Sequence, residues 1–178
     1  AGTSLADHHP ENRQARQQTV LVDNEPGVLA RVIGMFSGRG YNIDSLNVAE
    51  VSNDENISRI TIVTHGTSEV VSQIEKQLLR IVPVHSVTNL DQEGSSVEAE
   101  VALVYIYISE TNKKKVYQLC DLYRARKIEN ENNTTIFEIA GASERVNRFI
   151  KEINKITKVE IVRSGPVAIS SIQKNEEE

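Results

Sequence analysis

The feature that most limits what this chain can fold into is a succession of hydrophobic periodicities that occurs once, stops at an apolar-free stretch, and then occurs again. The first pass opens with Gln18 to Asp23, a short apolar run read as a strand, which Asn24-Glu25-Pro26-Gly27 breaks at the start of a helical pattern. Val28, Leu29, Val32, Ile33 and Phe36 then recur at the spacing of one helix face, and Gly38-Arg39-Gly40 ends it. Tyr41 to Ser52 and Ile57 to His65 read as two strands joined by the polar turn Asn53 to Asn56. A second helix face follows in Val70, Val71, Ile74, Leu78 and Ile81, with Thr67 or Ser68 as its N-cap. Pro83 stops it, and Val84 to Leu90 reads as a last strand. The order is β-α-β-β-α-β, the split arrangement of ferredoxin-like folds.

Asp91-Gln92-Glu93-Gly94-Ser95-Ser96 has no apolar residue and reads as a linker, after which the pattern restarts. Val97 to Ser109 holds a nearly continuous apolar run, Leu103 to Ile108, which suits a central strand buried on both faces. Val116, Leu119, Cys120 and Tyr123 give a helix face behind Asn112 as cap, and Ile128 and Thr135 to Ile139 are short strands around the turn Asn130 to Asn133. Val146, Phe149, Ile150 and Ile153 form another helix face behind Ser143, and Val159 to Val162 reads as the final strand. The expectation is an α+β chain of two tandem ferredoxin-like βαββαβ domains, 18–92 and 97–172. Residues 1–17 form a polar leader expected to be flexible, and 173–178 a disordered tail.

Little in the sequence supports catalysis. His65 and His85 are isolated at expected strand ends, His8 and His9 lie in the leader, and the four histidines make no metal-ligand spacing with Cys, Asp or Glu. Cys120 is the only cysteine, so no internal disulfide and no multi-thiolate metal site can form, and its reading is a small buried helix residue. No P-loop, dinucleotide fingerprint or nucleophile elbow occurs. A net charge of −5 and 4% aromatic residues argue against a phosphate-binding face or an RNA-stacking sheet. No apolar run reaches bilayer length, and the start AGTSLADHHPENRQARQQ lacks the apolar stretch of a secretion signal. The expected compartment is the cytoplasm, with a plastid or other organelle as the alternative had a targeting peptide been removed.

The segment that stands out is Asp23-Asn24-Glu25-Pro26-Gly27-Val28-Leu29, a polar turn opening onto a helix. The first N–H groups of a helix lack internal partners and sit at the positive end of its dipole, which suits a carboxylate. Gly27 has no Cβ to hinder approach, and the Asn24 amide can offer its carbonyl to an ammonium group and its NH₂ to a carboxylate. Such a turn could hold a free amino acid by both ends. The competing reading is purely structural, since Asn caps helices, Pro favours the first turn and Gly favours tight turns.

The stretch Thr19 to Val48, TVLVDNEPGVLARVIGMFSGRGYNIDSLNV, closely resembles the start of the acetohydroxyacid synthase small-subunit family. Ser58 to Ile62, Gln73 to Leu78, Leu79 to Val87, Glu100 to Val104 and Ile161 to Gly165 extend the likeness over nearly the whole chain behind the leader. N-E-P-G-V-L together with R-G-Y-N-I-D-S-L is specific to this family, whereas D-x-P-G alone marks the broader ACT class of amino-acid sensors. The resemblance implies an N-terminal ACT domain, a homodimer with effector sites between paired ACT domains, and a catalytic large subunit as partner. It also implies feedback inhibition by valine or a related branched-chain amino acid and activation of that partner. This chain would be non-catalytic and hold no cofactor, and thiamine diphosphate, Mg and FAD would belong to the catalytic subunit. Carried over residue by residue, the effector site comprises Asn24, Pro26, Gly27, Val28 and Leu29 from one protomer, with Asn42 and Ile43 facing it from the other. Gln73 matches a position linked to effector sensitivity. The segments Glu110 to Lys115 and Lys127 to Asn133 depart from the family pattern.

Two rival readings stand beside this one. A freestanding ACT-type sensor serving another enzyme or a transcription factor would have a different partner. A small ferredoxin-like enzyme such as a phosphatase would turn over substrate alone and lacks a nucleophile constellation here.

Overall fold

The computed structural model describes residues 14–52, 56–91, 96–131 and 134–171. The expected tail, most of the leader and of the linker, and parts of the turns after Ser52 and Glu131 lie outside these residues. The chain divides into two compact units at Gly94/Ser95, and both are α+β with the element order expected from the sequence, the second carrying one further strand, at 167–170, after the strand expected to be its last.

The first unit runs β1 (Gln14–Asp23), α1 (Val28–Gly38), β2 (Ser45–Ser52), β3 (Ile57–Gly66), α2 (Ser68–Leu78) and β4 (Val84–Asn89). Its antiparallel sheet has the order β2-β3-β1-β4. Val20 and Val22 of β1 and Ile60 and Ile62 of β3 share one face, and Val28, Val32 and Phe36 of α1 with Ile74 and Leu78 of α2 pack on it. Each of these side chains contributes roughly 1.5–3 kcal/mol by leaving water. The α2 start is fixed by Thr67, whose side chain accepts the Val70 N–H at 3.4 Å.

β1 begins at Gln14, so Gln14 to Gln17, assigned to the leader on composition, are strand. Pairing with β3 from Gly66 onward supplies main-chain hydrogen bonds regardless of side-chain polarity. Gln18 is wholly buried, and its Nε2 donates to the Val71 carbonyl at 3.4 Å.

The second unit runs β5 (Ser96–Tyr107), α3 (Lys113–Leu122), β6 (Arg126–Glu131), β7 (Thr134–Gly141), α4 (Ser143–Ile156), β8 (Val159–Arg163) and β9 (Val167–Ser170). The sheet order is β6-β7-β5-β8, and β9 pairs with Ser96 to Ala99 at the start of β5. Ala102, Val104 and Ile106 of β5 meet Val116 and Cys120 of α3 and Val146, Phe149 and Ile153 of α4. Burial of β5 alternates: Glu100, Ala102, Val104 and Ile106 are buried, whereas Val101, Leu103 and Tyr107 are exposed. The expectation of a strand buried on both faces therefore fails for β5, because both helices of this unit lie on one side of the sheet. It is β3 that is buried at consecutive positions, from Ile60 to Thr64.

Candidate functional site

The β1–α1 turn is held from behind by backbone. Asp23 N–H donates to the Pro83 carbonyl at 2.9 Å, Asn24 N–H to Asn56 at 2.7 Å, and Glu25 N–H back to Asp23 at 2.8 Å. His85 on β4 adds a side-chain tie, its Nε2 lying 2.5 Å from Asp23 Oδ1. Sequence reasoning missed this contact, since 62 residues separate the two and an isolated histidine carries no local signal.

Gly27 occupies the cap position of α1 with φ 85° and ψ −6°, the left-handed region that costs an L-residue roughly 1–2 kcal/mol. A Cβ at Gly27 would meet no atom within 4 Å, so the glycine is demanded by backbone conformation and the space beside it is open. No side chain caps this helix, and Asn24 is exposed. Asn24 is therefore not a side-chain cap, whereas Gly27 serves the tight turn as the structural reading has it. Val28 N–H reaches Glu25 at 3.4 Å and Arg31 N–H closes the first turn on Gly27 at 3.1 Å, while the amides of Leu29 and Ala30 take no backbone acceptor among the described residues. An exposed helix start with free donors and an open approach receives an anion.

The other expected site residues divide by position. Pro26 and Gly27 are exposed and Leu29 is 38% exposed, leaving an apolar side chain at the mouth of the turn. Val28 is in the core, so it can offer a ligand only its backbone. Asn42 and Ile43 follow the far end of α1, which is 11 residues long, so about 16 Å of helix separates them from Gly27 within one chain. A single chain thus does not bring the two groups together. Asn42 is exposed, whereas Ile43 packs against the core.

Gln73 on α2 lies apart from the turn, but its Oε1 accepts the Tyr41 hydroxyl at 3.3 Å, and Gln77 one turn later accepts Arg39 at 2.9 Å. These two bonds tie the segment bearing Asn42 and Ile43 to α2. Asp44, at the end of that segment, pairs with His65.

The equivalent turn of the second unit is closed. Asn112 Oδ1 accepts the Ser109 N–H at 2.8 Å, its Nδ2 donates to the Tyr107 carbonyl at 3.2 Å, and the Ser109 and Thr111 hydroxyls bond each other at 2.9 Å. Its polar groups are already engaged. Elsewhere the Cys120 thiol is pushed up to about 12 by burial, which removes it as a nucleophile. No group of three His, Cys, Asp or Glu among the described residues is arranged to hold a metal ion.

Comparison with known proteins places these observations. Residues 19–86 match a family model described as the AHAS small subunit-like ACT domain, and residues 99–172 one described as the small subunit of acetolactate synthase. The chain is 42% identical over 153 residues to the acetolactate synthase isozyme 3 small subunit of Escherichia coli, covering 85% of this chain and 93% of that one. The corresponding Salmonella typhimurium protein is 41% identical with the same coverage. The crystal structure of the acetolactate synthase small subunit from Thermotoga maritima superposes with a TM-score of 0.78 at 34% identity, over 90% of this chain and 99% of that one.

Proposed function

The chain belongs to the acetolactate synthase small-subunit family, and from that premise we propose that it is a non-catalytic regulatory subunit that activates a catalytic partner and makes it sensitive to valine or a related branched-chain amino acid. The observation that carries the sensing role is the β1–α1 turn: exposed Asn24, left-handed Gly27 with open space beside it, and unengaged amides at Leu29 and Ala30. The effector carboxylate takes those amides, the Asn24 carbonyl takes its ammonium group, and the Leu29 side chain meets its aliphatic end.

Asn42 and Ile43 complete the site from a second protomer, since α1 holds them about 16 Å away in the same chain. The ACT domains therefore pair as a homodimer with two composite sites. Gln73 acts through Tyr41, fixing the segment that the partner protomer presents. Thiamine diphosphate, Mg and FAD belong to the catalytic subunit. Regulation requires that valine bind one state of the assembly better than the other, because equal binding to both shifts nothing.

The test is calorimetric titration of the purified chain with valine, leucine and isoleucine, alongside identification of the protein that the chain retains from its own cell extract. Saturable binding of at least one of the three, with the acetolactate synthase catalytic subunit retained, is expected. Retention of a different enzyme or of a transcription factor would favour a freestanding sensor. An apolar pocket separates these amino acids by only about 1–3 kcal/mol, so graded affinities are expected.

A further inference from the structure

Both groups of effector-site residues are fastened to the first sheet by the same device. Asp23 directly precedes Asn24, and Asp44 directly follows Ile43. The Asp23 N–H donates to the Pro83 carbonyl at 2.9 Å, and its Oδ1 lies 2.5 Å from Nε2 of His85, two residues beyond that carbonyl. The Asp44 N–H donates to the Val63 carbonyl at 2.8 Å, and its Oδ2 pairs with Nδ1 of His65, again two residues beyond. Each aspartate is thus gripped at main chain and at carboxylate by one short stretch of chain. His65 and His85 are the only histidines among the described residues, and both are used in this way.

We propose that His85 and His65 are positioning residues for effector binding, the first setting the Asn24-to-Gly27 turn and the second the Asn42–Ile43 segment; the inference rests on the sensing role proposed above. A main-chain bond alone lets a residue pivot, whereas a second bond at the side chain fixes its rotation and the direction in which the chain leaves it. A segment already held in its bound conformation gives up less freedom when the ligand arrives. Fold stability is not what these pairs supply: the four side chains are 38–49% exposed, and exposed pairs of this kind add little.

The nitrogen used differs between the two clasps, and that makes them separable from mere bulk. A neutral imidazole carries its proton on one of two nitrogens, and the carboxylate selects Nε2 in His85 and Nδ1 in His65. The side-chain amide of Gln reaches like Nε2 and that of Asn like Nδ1. His85→Gln and His65→Asn therefore keep the donor, while leucine at either position removes it.

Calorimetric titration of the full-length chain with valine, leucine and isoleucine tests this. His85→Leu and His65→Leu should each weaken binding of whichever amino acid the parent takes by about 3- to 10-fold, with thermal melting little changed. His85→Gln and His65→Asn should bind within about 2-fold of the parent, a recovery that a merely structural role would not produce. Asp23→Ala added to His85→Leu should cost nothing further, because one contact cannot be lost twice. Should His85→Leu fail to fold, Asp23→Ala opens the same clasp from its other side. Leucine variants that bind like the parent, or Gln and Asn variants as weak as the leucine ones, overturn the proposal. A parent chain that binds none of the three amino acids would sink the sensing role and this proposal with it, whereas a binding parent with unaffected variants sinks the clasps alone.

Discussion

Gly27→Asp separates sensing from folding, and the structure sets the size of each effect. The backbone at Gly27 is left-handed, so any L-residue carries strain, but Asp is among the residues that tolerate this region best and the cost is about 1 kcal/mol. A Cβ there meets nothing within 4 Å, which removes any steric contribution. A carboxylate at a helix start gains back roughly 0.3–1 kcal/mol from the dipole. The net change in stability is thus under about 1 kcal/mol, a shift of a few degrees in Tm.

The effect on ligand is larger. A carboxylate about 4 Å from the effector's own costs on the order of 4 kcal/mol at an effective dielectric near 20, so valine affinity should fall about 100-fold or more. Gly27→Asn, similar in shape and uncharged, separates charge from strain and should bind with an intermediate loss. The assay is calorimetric titration with valine beside thermal melting, followed by reconstitution with the catalytic subunit, where activation should persist and inhibition should not. A Gly27→Asp chain that melts normally and binds valine like the parent would refute the site.

Three further outcomes follow from the same geometry. Mixed dimers carrying Asn24→Ala on one chain and Asn42→Ala on the other should keep one intact effector site, whereas either homodimer loses both; equal stoichiometries would rule out a composite site. Tyr41→Phe and Gln73→Ala each remove the 3.3 Å bond between them at a stability cost of about 0.5–1.5 kcal/mol. If the latch acts as described, each weakens effector binding and the double variant adds little to either, while additive losses in a double-mutant cycle would show independent roles. Cys120, buried and pushed up to about 12, should react with a thiol reagent at pH 8 only when the second unit opens, and prompt stoichiometric reaction of the native chain would contradict its placement.

The helix faces were legible because their burial follows a single rule. Val32, Phe36, Ile74 and Leu78, like Val116, Val146, Phe149 and Ile153, recur at helical spacing and are buried as that spacing requires. The turn at Asn24 to Gly27 was legible as a helix start, but its left-handed Gly27 and the unengaged amides needed coordinates. What stayed hidden depends on pairing between distant residues. The polar segment Gln14 to Gln17 is strand because β3 lies beside it, and the four residues of β9, following Gly165-Pro166, carry no periodicity of their own. The apolar run in β5 misled for a different reason. Continuous hydrophobicity signals two covered faces, and within one chain only one is covered. Gln73 stood out only through the resemblance, and its bond to Tyr41 needed coordinates.

The central claim, that this chain regulates a separate catalyst, is tested most directly by acetolactate formation measured with the catalytic subunit alone, with the chain added to saturation, and with chain plus valine. Activity should rise on adding the chain and fall again with valine, while valine without the chain should have little effect. Activity that stays the same across all three conditions, with the two proteins shown to be mixed and folded, would contradict the account.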